Sequence, residues 1–212
     1  MSYRSAVRLL LTGIAAAGAL SPSLSANENV VAYHINYAVP DAESLAERLK
    51  QIDVVAVVRI ADSGRARVAG VALTALAKNE DVVPDADLPP VILTEHSADV
   101  LEILKAPSRP MTLGATMNLL QHGGEVTWRE RLVRTYAEVP TLSPGATYLV
   151  FLNYTEASAG MMVSPFDVFR VDRGNIEGNG SSATKYGPSI VGLPPEDGLA
   201  LVRRALEERA SR

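Results

Sequence analysis

The run Val54–Ile60 (VVAVVRI) limits the possible folds more than any other stretch of the chain. It is apolar at every position but Arg59, so it cannot alternate a wet face with a dry one. Such a pattern predicts a strand covered on both faces, in the middle of a sheet and not at its edge. Immediately before it, Ala42, Leu45, Ala46 and Leu49 recur at i, i+3, i+4 and i+7, with Asp41 or Ser44 as the start signal. A short amphipathic helix is therefore expected to feed the central strand of a β-rich core.

The first 25 residues have the pattern of a secretory signal peptide. Arg4 and Arg8 supply the positive start, Leu9–Leu20 an apolar stretch, and Ser23 and Ser25 the small residues of a cleavage site before Ala26. The apolar stretch is shorter than the roughly 20 residues of a membrane span, and Thr12 and Gly13 interrupt it. Export into the periplasm or the extracellular space is the expectation. The chain has no cysteine, which excludes a disulfide framework and a lipid-anchored cysteine, so the fold must rest on its core alone. Cleavage removes two arginines and no acid, so 20 basic and 24 acidic residues become 18 and 24, a net charge of −6. That balance argues against nucleic acid as a partner.

Strand-like runs follow one another along the chain: Asn29–Val39, the central run, Ala66–Ala75, Val91–Leu104, Met111–Leu120, Thr147–Asn153 and Met161–Asp172, the last interrupted near Pro165. Val91–Leu104 is the longest. It alternates as far as Val100 and then turns apolar on both faces, as a strand does that bends at a bulge to serve two sheets. Ser143-Pro144-Gly145-Ala146 has the chemistry of a type II turn. Glu125–Val139 fits a strand or a helical turn equally. Residues 174–195 have the Gly- and Pro-rich composition of a linker, and Glu196–Ala210 is patterned as an amphipathic helix that either folds back on the barrel or docks on a partner. The expected organisation is thus a signal peptide (1–25), a β-barrel domain (27–173), a linker (174–195) and a C-terminal helix (196–210). Short turns and six to eight strands fit a mainly β fold, a small Greek-key barrel of the oligonucleotide/oligosaccharide-binding (OB) kind, with a β-sandwich as the alternative.

Four stretches, SLAERL (Ser44–Leu49), IDVVAVV (Ile52–Val58), TEHSADVLEILKA (Thr94–Ala106) and GATYLVFL (Gly145–Leu152), occur in this order. They resemble the signatures of uncharacterised exported bacterial proteins with an OB-like barrel, except that Ala106 stands where those have glycine. The resemblance implies the fold and brings no activity, cofactor or site residue. Similar barrels occur in the tissue inhibitors of metalloproteinases, which chelate zinc through an N-terminal cysteine, a mechanism this cysteine-free chain cannot use.

No motif fixes a reaction. His34, His96 and His122 lack any metal-binding spacing and read as structural. Ser182-Ala183-Thr184-Lys185 matches S-x-x-K, and Gly178, Gly180 and Ala183 mimic a dinucleotide fingerprint, but neither has the helix its chemistry needs. Glu80, Asp81, Asp85 and Asp87 share a loop without the spacing of a calcium site. No metal or cofactor is expected. Trp128, Arg129, Arg131, Arg134 and Tyr136 could form a stacking surface for a sugar or an anionic polymer. Equally, Trp128 could close one end of the barrel while the arginines pair with Glu125, Glu130 and Glu138. The functional expectation is a non-catalytic binding module of the cell envelope, its partner a protein or a polymer. A hydrolase acting through carboxylates such as Glu95 and Asp99 is the alternative.

Overall fold

The computed structural model describes residues 30–35, 39–62, 64–68, 91–107, 114–137, 142–155, 160–178 and 184–210. The signal-peptide pattern, the acidic loop and most of the S-x-x-K and glycine motifs lie outside these residues. The chain divides into two compact units, residues 1–38, 66–93 and 122–138 in one and residues 39–65, 94–121 and 139–212 in the other. The stretch 27–173 therefore contributes to both.

In chain order the elements are β1 (Val30–Ile35), α1 (Leu45–Gln51), β2 (Val54–Ile60), β3 (Arg65–Val68), β4 (Ile92–Lys105), β5 (Thr116–His122), β6 (Gly124–Trp128), β7 (Arg131–Ala137), β8 (Thr147–Thr155), β9 (Gly160–Arg170), β10 (Glu177–Gly178) and α2 (Pro195–Ala210). Five of them close a barrel in the order β9-β5-β4-β2-β8, with β8 pairing back onto β9. Strand β2 pairs antiparallel with β4 and with β8, while β5 and β9 run parallel. This is the Greek-key order of an OB-like barrel, with the expected helix before the central strand and a second helix at the C-terminus. Full closure leaves the barrel no free edge.

Strand β2 is buried on both faces, as its composition requires. Val54, Ala56, Val58 and Ile60 point into the barrel, where they meet Ala98, Leu119, Tyr148, Val150, Leu152, Val163 and Val168. Val55 and Val57 point outward, into a second core with Leu149, Phe151 and Phe169 of the sheet, Leu45 and Leu49 of α1, and Val202 of α2. The Phe151 and Phe169 rings lie 5.3 Å apart, centre to centre, in a tilted pair. One strand is thus the common wall of two cores.

Local chemistry sets the elements. Ser44 caps α1 by accepting a hydrogen bond from the Glu47 amide at 3.2 Å, and the Glu47 carboxylate accepts one from the Glu43 amide at 2.9 Å. At the other end of α1 the Lys105 ammonium donates to the carbonyl oxygens of Leu49, at 2.7 Å, and Ile52. Strand β4 carries two bulges against β2: Val57 and Val58 face Glu102 and Val100, which leaves Leu101 extra, and Val55 and Ala56 face Lys105 and Ile103, which leaves Leu104 extra. These are the positions where the apolar alternation dissolves. The β8–β9 pairing jumps from Val150–Val168 to Leu152–Val163, a break that spans Pro165. Gly145 has φ 78°, and the Ala146 amide donates to the Ser143 carbonyl at 3.1 Å, as a type II turn demands. The ambiguous stretch after Glu125 is a β-hairpin, β6–β7, which with β1 forms a three-stranded sheet in the order β1-β7-β6.

The C-terminal helix folds back. Val202 of α2 is fully buried, Leu199, Leu201, Ala205 and Leu206 pack on the outer core, and Arg203 donates to both carboxylate oxygens of Glu102 at 2.7 Å. Residues 184–193, within the stretch with linker composition, are folded as well. They form a 3-10 turn at Gly187–Ser189, and Tyr186 and Ile190 are buried in the outer core.

Candidate functional site

The five residues singled out from the sequence all fall on the β6–β7 hairpin. Its two-residue turn is Arg129-Glu130, both in the left-handed region at φ 47° and 66°. That geometry matches the twist of a hairpin but is ordinarily supplied by Asn-Gly or Asp-Gly. Trp128 and Arg131 flank the turn and face each other across the strands. The Trp128 ring packs with Val126 near Ala66, Ile92 and Val133 in a small cluster, and its indole N–H is buried without an acceptor among the described residues. The Arg129 guanidinium lies 5.8 Å from the ring centre, a cation–π contact. Three register pairs on from the pair that flanks the turn, Arg134 makes an ion pair with Glu125 on the opposite strand.

The hairpin splits the set. Alternation along β7 puts Arg131, Val133 and Thr135 on the side of Trp128, while Arg134 and the Tyr136 position belong to the other side. Trp128, Arg129 and Arg131 are therefore brought together at the tip, and the strand positions of Arg134 and Tyr136 are not on that side. Chemically, the tip is an aromatic ring on a small apolar base, capped by one exposed guanidinium and flanked by another. A sugar ring or an anionic group suits such a platform.

The carboxylates of the hydrolase alternative lie on the barrel. Glu95 accepts a hydrogen bond from the Asn118 side-chain amide at 2.8 Å, and Asp99 lies 3.7 Å from Arg59. Each is engaged with a different neighbour. Among the described residues no group of three or more His, Asp or Glu side chains is placed to hold a metal ion.

Sequence reasoning missed a third feature, a cleft of about 340 Å³ lined by Glu43, Leu45, Lys185, Tyr186, Leu201 and Arg204, among others. An exposed Lys185–Glu43 ion pair stands at its rim. Near it lies a buried polar knot. The Arg48 guanidinium forks onto Asp167, with Nε to Oδ1 at 3.1 Å and Nη2 to Oδ2. The Tyr186 hydroxyl donates to the same Oδ1 at 2.7 Å, and Arg48 also donates to Gln51 at 3.0 Å. Burial, together with the neighbouring Asp167 carboxylate, pushes the Tyr186 phenol far above its ordinary value. Arg48 remains charged: burial opposes its charge, but Asp167 more than offsets this. Two signals could have found the knot, an arginine between Leu45 and Leu49 of α1 and a lone acid within the run Phe166–Phe169.

The sequence matches no known protein family and no curated protein. No helix of the described residues is long and apolar enough to cross a membrane.

Proposed function

We propose that the chain is an exported, non-catalytic binding module of the cell envelope, and that the tip of the β6–β7 hairpin is its contact surface. The observation that carries this reading is the Trp128–Arg129 stack at a two-residue turn. Both residues of that turn hold a backbone conformation of higher energy, and the result is a cation presented over an aromatic face. The N-terminal signal pattern and the resemblance to exported proteins with OB-like barrels support the compartment. The separate engagement of Glu95 and Asp99 favours binding over hydrolysis, because a carboxylate pair must face a shared substrate bond. The partner is a protein or a polymer carrying anionic or sugar groups.

The test is crosslinking in intact cells, with the full chain tagged at its C-terminus, followed by capture. The captured chain is expected to begin at Ala26 or Asn27 by intact mass. It should carry an envelope protein or polymer that the variant Arg129→Ala/Arg131→Ala fails to retain. Equal retention by that variant and the wild type would remove the hairpin from the interaction, and full-length chain in the cytosol would sink the compartment.

A further inference from the structure

His96 is the one histidine whose ring is sealed inside the barrel among the described residues. It is 1% exposed and shares a face of β4 with Ala98, which belongs to the barrel core. Neither ring nitrogen has a hydrogen-bond partner of good geometry among the described residues. A neutral imidazole in that state forgoes hydrogen bonds, but an imidazolium there would be a charge without a counter-ion.

The surroundings offer no relief. Val58 and Ile60 of β2, Leu119 of β5, Val150 of β8, and Met161 and Val163 of β9 fill the interior, all of them apolar. Three polar side chains join them, none of them an acid, and one is Tyr154 of β8, partly buried against this core. Gln121 of β5 is uncharged, and Tyr148 of β8 accepts a hydrogen bond from the Ser143 amide at 3.1 Å. The nearest acids on β4, Glu95 and Asp99, alternate to the outer face with His96 facing inward, and Asn118 and Arg59 engage them there. His122, one residue past Gln121, takes the opposite side of β5.

We propose that His96 is an acid-sensitive element built into the barrel: the barrel closes only around the neutral ring, and mild acid weakens its folding. This rests on the fold alone and stands whether or not the hairpin binds a partner. Burial lowers the pKa of the ring, and a contact with Gln121 opposes this only in part. The sign follows. The unfolded chain takes up a proton near pH 6.5 and the folded chain does not, so stability is whole above that pH and falls as pH drops below it. If the folded ring stays neutral at pH 5.5, the folding equilibrium constant falls about tenfold between pH 7.5 and 5.5 from this residue alone. His122 has its pKa lowered by burial too and acts in the same direction, so the comparison belongs in a His122→Gln background. Ordinary carboxylates titrate below this window.

The experiment is denaturant unfolding at pH 7.5 and 5.5 of His122→Gln and of His96→Gln/His122→Gln. The single variant is expected to lose up to about tenfold more of its folding constant than the double variant. Equal losses would overturn the proposal. Should the double variant not fold, the His96 ring resonances of the folded wild-type chain decide. They are expected to keep their neutral position to pH 5.5, and a ring that titrates within the folded state near pH 6.5 would overturn the proposal.

Discussion

Arg48 stands on the buried face of α1, between Leu45 and Leu49, and its side chain is 10% exposed. It is tolerated there because Asp167, fully buried, receives its fork, and Tyr186 completes the acceptor's coordination. A buried ion pair adds little net stability, since desolvation offsets the attraction, but removing one partner leaves a charge stranded. Asp167→Ala is therefore expected to cost about 3–5 kcal/mol in denaturant unfolding. Arg48→Met/Asp167→Leu/Tyr186→Phe should recover most of that loss, because the hydroxyl that Asp167 accepted is removed with the ion pair and the apolar groups need no partner. A loss below about 1 kcal/mol for the single variant would mean that Arg48 finds another anion or water. The knot was half legible in the sequence. The charge between Leu45 and Leu49 was visible, but its partner lies 119 residues away, and no local rule chooses among the acids between them.

Elements with strong periodicity or composition were legible: α1, β2, β4, β8 and α2 fall where their patterns put them. The hairpin was not. Its turn is Arg129-Glu130, without the Asn or Gly that usually marks left-handed backbone, so nothing in the composition broke Glu125–Val139 into two strands. Which core a side chain enters was also hidden. Val55, Val57, Leu149 and Phe151 are interior but face the helices and not the barrel lumen, and a strand buried on both faces gives periodicity nothing to contrast. Within β8, Phe151 is 1% exposed and in a tilted ring contact with Phe169 of β9. Phe151→Ala should cost about 3–5 kcal/mol, read as a lower denaturant midpoint at unchanged slope. An unchanged midpoint would show that the outer core collapses around the gap or contributes little.

At the scale of the whole molecule, the residues of the larger unit form two cores that share one sheet. The barrel closes around its own interior. Its outer face over β2, β8 and β9 is sealed by α1, the Tyr186 turn and α2, which comes last in the chain. A helix of this length is marginal in water by itself, so its apolar stripe must be covered. Covering Val202 and its neighbours is worth roughly 1.5–3 kcal/mol for each large side chain fully buried. The sequence left open whether that stripe belonged to the barrel or to a partner, and the packing of Val202 and the Arg203–Glu102 contact place it on the barrel. The most direct test of this two-core account is the thermal unfolding of a chain lacking residues 194–212. The account predicts a large fall in melting temperature, because Val55, Val57 and Phe151 lose part of their cover. A melting temperature equal to that of the intact chain would contradict it.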